Sequence, residues 1–83
     1  MEKCKNILNW ILDTSGFQCY AQDGDKVSIS IPYKTVLIII ELSNLIGQME
    51  LQNESNRAIS KQKFYEILEN NNISVEEYEY DNN

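Results

Sequence analysis

The longest purely apolar run in the chain, VLIII at residues 36–40, constrains the fold more than any other feature. It lies within 35–42, where β-branched side chains are dense. Such density over so short a length favours a strand that is buried on both faces. The run is far shorter than the roughly 20 apolar residues that a membrane-spanning helix needs. The sequence therefore predicts a strand at the centre of a sheet.

Alternating segments on either side of this run predict three further strands. One segment begins at Phe17, and Asp23-Gly24 then supplies residues that tolerate the positive φ of a tight hairpin turn. Residues 27–31 alternate apolar and polar side chains beyond that turn, and Pro32 ends the segment. Residues 45–52 alternate again, although 42–51 also fits a short helix. The four segments together predict an antiparallel four-stranded meander.

Helices are predicted at both ends of the meander. The first has its apolar residues at the i, i+3, i+4, i+7, i+8 spacing of one helix face, and Gly16 supplies its stop. Those apolar residues are Cys4, Ile7, Leu8, Ile11 and Leu12.

The second helix is predicted to begin after Ser60 as N-cap, with Ile59 packed on Phe64 as a hydrophobic staple. Phe64, Ile67 and Leu68 form its apolar stripe, and asparagines at 70–72 end it. The fold class is therefore α+β in a single domain, 1–83: N-terminal helix, antiparallel four-stranded meander, second helix and a possible short C-terminal strand.

The charge distribution sets the C-terminal end apart. Residues 1–63 hold seven acidic and seven basic side chains, whereas 64–83 hold six acidic and none basic, so the last 20 residues carry the whole net charge of −6. Residues 74–83 form an acidic aromatic tail with three interpretations. It is an edge strand whose charges prevent edge-to-edge pairing, a frayed terminus, or a surface that docks on a basic partner.

The docking interpretation assigns specific partner-binding residues. In an extended tail, carboxylates steer and pair with a basic groove while tyrosines add contact area. Glu66 and Glu69 on the second helix extend this surface, and Trp10, at the margin of the first helix's apolar stripe, is either a core-edge residue or an interface anchor. The tail residues of this site are Glu76, Glu77, Tyr78, Glu79, Tyr80 and Asp81.

Several function classes are disfavoured by what the sequence contains. There is no histidine, the three glycines form no phosphate-binding loop, and the two cysteines lack zinc-site spacing. Asp23-Gly24-Asp25 is interpreted as a hairpin turn and not as a calcium loop. We therefore expect no catalytic residue, cofactor or metal. A pI of about 4.4 disfavours direct binding to nucleic acid or to an anionic membrane.

Cysteine usage and the N-terminal residues predict the compartment. Cys4 and Cys19 fall on predicted buried faces, where a free thiol behaves as a small hydrophobe. Residues 1–13 lack the apolar core and cleavage site of a secretory signal. Both features predict a cytoplasmic protein, or one in the host cytoplasm if the chain is phage-encoded.

Small size, acidity, a single domain and the lack of catalytic residues resemble the inhibitors of phages and mobile elements, anti-CRISPR proteins among them. This resemblance implies a non-enzymatic protein that inhibits a basic nucleic-acid-binding protein by presenting carboxylates in place of phosphates. The predicted element order also resembles a reduced type III secretion chaperone-like domain. That second resemblance implies a homodimeric adaptor which binds an extended protein segment on its sheet.

Overall fold

A computed structural model describes residues 1–15 and 32–81, and this part of the chain is helical. Its elements are α1 (Glu2–Thr14), α2 (Tyr33–Leu51), α3 (Glu54–Asn70) and α4 (Val75–Asp81). Because these residues contain no strand, the α+β prediction with its four-stranded meander is wrong for them. The predicted hairpin at 17–31 lies outside the described residues. No helix of the described ranges combines the length and apolarity needed to cross a bilayer.

The apolar run at 36–40 lies inside α2 and not in a strand. The buried residues of this helix recur at helical spacing on one face: Ile39, Leu42, Leu45, Ile46 and Met49. A β-branched residue destabilises a helix by about 0.5 kcal/mol, whereas burying one large aliphatic side chain stabilises the fold by about 1.5–3 kcal/mol. Burial therefore outweighs β-propensity. The predicted third and fourth strands are wrong, and the helical alternative for 42–51 is confirmed.

The connection from α2 to α3 explains why the second predicted helix begins earlier than expected. The Asn53 side chain accepts a hydrogen bond from the Asn56 backbone N–H at 3.0 Å, which makes Asn53 the N-cap. Arg57 then donates to the last carbonyls of α2, from Nε to Met49 at 3.0 Å and from Nη2 to Gln52 at 3.2 Å.

The predicted N-cap at Ser60 is therefore wrong. Ser60 lies buried within α3, where its hydroxyl donates to Gln52 Oε1 at 2.8 Å. Ile59 is 57% exposed, so it does not staple the helix by packing on a buried Phe64. The predicted stripe of α3 is borne out in part, since Phe64 and Leu68 are fully buried and Ile67 packs against the core.

Helix α1 agrees with its prediction and closes the core over the α2–α3 pair. Cys4, Ile7 and Ile11 are buried against residues of α2 and α3, with Leu8 and Leu12 at the edge. The Cys4 thiol is free. Lys5 Nζ lies 2.9 Å from Glu50 Oε1, which ties the exposed side of α1 to α2.

The end of α3 directs the chain back toward α1. Asn72 has φ 58°, the left-handed conformation that asparagine tolerates best among non-glycine residues. The Ile73 N–H then reaches Leu68 O at 2.9 Å and the Asn72 N–H reaches Glu69 O at 3.1 Å, the two bonds of a Schellman motif. The predicted helix end at 70–72 is confirmed, and it leads into α4, which packs on α1.

Candidate functional site

The acidic tail is helical from Val75 to Asp81. The Ser74 hydroxyl accepts a hydrogen bond from the Glu77 N–H at 3.3 Å, and Ser74 O accepts from the Tyr78 N–H at 3.4 Å. A serine followed three residues later by glutamate is the pattern of a capping box. The predicted C-terminal strand is therefore wrong, and so is the extended geometry assumed for the tail.

Trp10 joins α4 to α1. Its indole N–H donates to Asp81 Oδ2 at 2.9 Å. Its ring meets the Tyr78 ring edge-on, with centroids 5.8 Å apart and planes at 73°. Trp10, Tyr78 and Val75 all pack against the core. The structure thus places Trp10 at the core edge, where its contacts are to α4.

An ion pair adds a second connection between the same two helices. Lys3 Nζ lies 2.7 Å from Glu79 Oε1, and both side chains are about half exposed. The hydrogen bond that Lys3 donates to this carboxylate, and then the charge of the carboxylate, raise the pKa of Lys3. Of the four carboxylates in α4, Glu79 and Asp81 are therefore bonded to α1.

The remaining residues of α4 form what we call the outward face: Glu76, Glu77 and Tyr80. At about 100° per residue these three positions lie within about 100° of one another, on the side away from Val75 and Tyr78. Both glutamates are exposed, and Tyr80 is 84% exposed. Because residues 64–83 contain no lysine or arginine, no cation of α4, or of α3 from Phe64 onward, offsets the charge of this face.

One of the two acidic residues predicted on the second helix lies beside this face. Glu69 and Glu76 line the same shallow depression between the end of α3 and the start of α4, together with Leu68 and Ser74. Glu66 is exposed one turn earlier on α3 and accepts a hydrogen bond from Gln62 Nε2 at 3.3 Å. Asp23 and Asp25, of the predicted hairpin turn, lie outside the described residues.

A cleft that the sequence did not indicate borders the outward face at Glu77. It has a volume of about 350 Å³ and is bounded by the end of α1, the start of α2 and the α3–α4 connection. Trp10, Glu77 and Lys34 are among the residues that line it, so an indole, a carboxylate and an ammonium share one opening. Three separated segments build this cleft, so no local pattern in the sequence marks it.

Carboxylates, aromatic rings and one lysine are the functional groups of these surfaces. Within residues 1–15 and 32–81, no three histidine, cysteine or acidic side chains are grouped to hold a metal ion. Charged groups on the outward face point to solvent beside an aromatic ring, an arrangement suited to pairing with arginine or lysine. Comparisons with protein-family models, with curated proteins and with solved structures gave no match.

Proposed function

We propose that this chain is a non-enzymatic inhibitor that acts in the cytoplasm by docking the outward face of α4 on a basic surface of a nucleic-acid-binding protein. The observation that carries the proposal is that α4 has two sets of polar residues, one bonded to α1 and one facing away from it. Glu79 and Asp81 bond to α1, which fixes the helix, while Glu76, Glu77 and Tyr80 are directed outward. A preformed helix loses little conformational entropy on binding, so its contacts contribute more fully to affinity.

Charge distribution supports a basic partner. The net charge of −6 arises entirely within residues 64–83, so the negative potential is strongest where the outward face lies. Such a potential accelerates encounter with a positive surface and is screened by salt over about 8–10 Å. Tyr80 supplies the amphipathic contact area that interfaces commonly use.

In this proposal, the carboxylates of the chain take the places of only a few phosphates of a nucleic acid. Glu69, Glu76 and Glu77 are three charges on one surface, whereas duplex DNA carries about one charge per 1.7 Å of its axis. The face is therefore too sparse to copy a duplex. It suits a short basic groove, where a few paired charges and one aromatic contact exclude nucleic acid by occupying the same surface.

The proposal is tested by quantitative affinity capture from native cells with three forms of the chain. These are the wild type, E76Q/E77Q on the outward face, and E2Q/E54Q as a control with the same change in net charge. We expect the wild type to retain a nucleic-acid-binding protein that added nucleic acid displaces. E76Q/E77Q should reduce retention about tenfold, since each lost charge pair costs on the order of 0.5–1 kcal/mol, and the control should retain it fully.

Two results would contradict the proposal. One is equal retention by the wild type and E76Q/E77Q. The other is a complex that keeps its affinity between 50 and 500 mM salt, on the order of a threefold change in the Debye length.

A further inference from the structure

Helix α2 carries a second apolar surface on the side opposite the core, and we call it the α2 stripe. Its six positions alternate spacings of four and three residues: Tyr33, Leu37, Ile40, Asn44, Gly47 and Leu51. At about 100° per residue they cluster within about 40° of one line along the helix, while Leu42 and Met49 of the buried face point about 160–180° away. This alternation of four and three is the spacing of a coiled-coil seam.

The large side chains of the stripe are open to solvent. Tyr33 is 75% exposed, Leu37 43%, Ile40 49% and Leu51 91%. A Cβ added at Gly47 would meet nothing within 4 Å. An exposed helix surface ordinarily carries polar residues on this side, so an apolar seam here indicates that something covers it.

The area of the stripe is compatible with a dimer interface. A fully exposed large side chain has an accessible area of about 200 Å². The exposed fractions of these four side chains therefore add up to about 500 Å² of accessible area in one copy. Two copies would bury about 1,000 Å² from these side chains alone, and Asn44, Gly47 and the flanking residues add to it. A standard specific interface buries about 1,200–2,000 Å² in total.

We propose that the α2 stripe is covered by the same stripe of a second copy, with the two helices antiparallel about a two-fold axis near Leu42. The pairs that this axis generates place a leucine against a glycine and bring the large side chains at the two ends of the stripe together. Leu37 lies over Gly47 of the partner subunit, and Tyr33 lies beside Leu51 of the partner subunit. Every large residue of the outer layers is thus paired across the axis, and the open space at Gly47 is filled.

The parallel alternative fits the same residues less well. It would stack Gly47 on Gly47 of the partner subunit and leave a void in the seam, which costs stability. The antiparallel arrangement instead places Asn44 over Ile40 of the partner subunit, and no glycine faces a glycine. It also places Glu41, on the flank of the stripe, opposite Glu41 of the partner subunit. That contact is repulsive, and it distinguishes the two arrangements.

The dimer is tested by sedimentation equilibrium of the full chain from about 5 to 200 µM, a range that covers the micromolar affinities of modest interfaces. The wild type is expected to approach twice the chain mass of 9.7 kDa. I40E and L51E should keep their helical circular dichroism and weaken the dimer at least tenfold. I59E is the matched control, because Ile59 is exposed on α3 and lies outside the stripe.

The antiparallel orientation is tested by E41Q, with E66Q as a control for the loss of one charge. E41Q should tighten the dimer about two- to fivefold, because it removes the contact between like charges at the axis. A wild type that stays monomeric throughout the range overturns the proposal, whether the stripe is covered by another part of this chain or by a different protein. A dimer that I40E and L51E leave intact, or that E41Q does not strengthen, overturns it equally.

Discussion

At the scale of single residues, Asn72 decides where the acidic end of the chain lies. Its φ of 58° ends α3 and turns the backbone so that Ile73 can bond back to Leu68. The left-handed conformation is unfavourable by about 1–2 kcal/mol for an ordinary L-residue, by less for asparagine, and hardly at all for glycine. A change at this position therefore alters the stability of the turn without removing any core contact.

We predict that N72A lowers the free energy of unfolding by about 1 kcal/mol, because alanine adopts the left-handed conformation less readily than asparagine. N72G should be at least as stable as the wild type. N70A is the matched control, since Asn70 is exposed at the last helical position of α3, where alanine is the better helix former. Urea unfolding measures all three variants, and equal losses in N70A and N72A would contradict this role for Asn72.

At the scale of elements, local signals were sufficient for α1 and for the end of α3. The apolar residues of α1 have one spacing and one face, with polar residues on the other sides, so only a helix buries them together. The asparagines at 70–72 end α3 for a reason that is also local, the tolerance of asparagine for positive φ.

Helix α2 could not be predicted in this way because it is apolar on two opposite sides. Residues of the core face and of the α2 stripe follow one another along 36–40, so the helical period disappears and a continuous apolar run remains. Such a run is typical of a buried strand. Only the packing of α2 against α1 and α3 decides between the two, and that packing involves residues distant in sequence.

The helical state of the tail could have been predicted, whereas its contacts could not. Ser74 and Glu77 form a capping-box pattern directly after the asparagine stop, with Ile73 before it. The alternation of glutamate and tyrosine at 76–80 concealed this signal. That Glu79 and Asp81 bond to Lys3 and Trp10 depends on the approach of α4 to α1, so the sequence identified candidate site residues without separating those held inward from those directed outward.

At the scale of the whole molecule, three groups among the described residues make stability depend on alkaline pH. Hydrogen bonds donated to Glu79 and Glu50 raise the pKa of Lys3 and Lys5, and burial raises the pKa of Tyr65. A group whose pKa is higher in the folded state binds its proton longer there than in the unfolded chain. The free energy of unfolding therefore falls as the pH rises through the raised pKa values.

We predict that these groups leave the thermal midpoint of unfolding unchanged below about pH 9.5. They should lower it between about pH 10 and 12, where lysine and tyrosine titrate. Y65F should make the fall shallower, because it removes one of the three groups. Circular dichroism melts across this range measure the effect. A midpoint that stays constant or rises over the same interval would contradict it.

The placement of α4 on α1 is the claim on which the proposed function depends, because it determines which carboxylates face a partner. Nuclear magnetic resonance of the full chain tests it most directly. Helical Cα chemical shifts at 75–81 and nuclear Overhauser effects between the Trp10 and Tyr78 rings are expected, consistent with ring centroids 5.8 Å apart. Random-coil shifts at 75–81 with no such effects would contradict the placement.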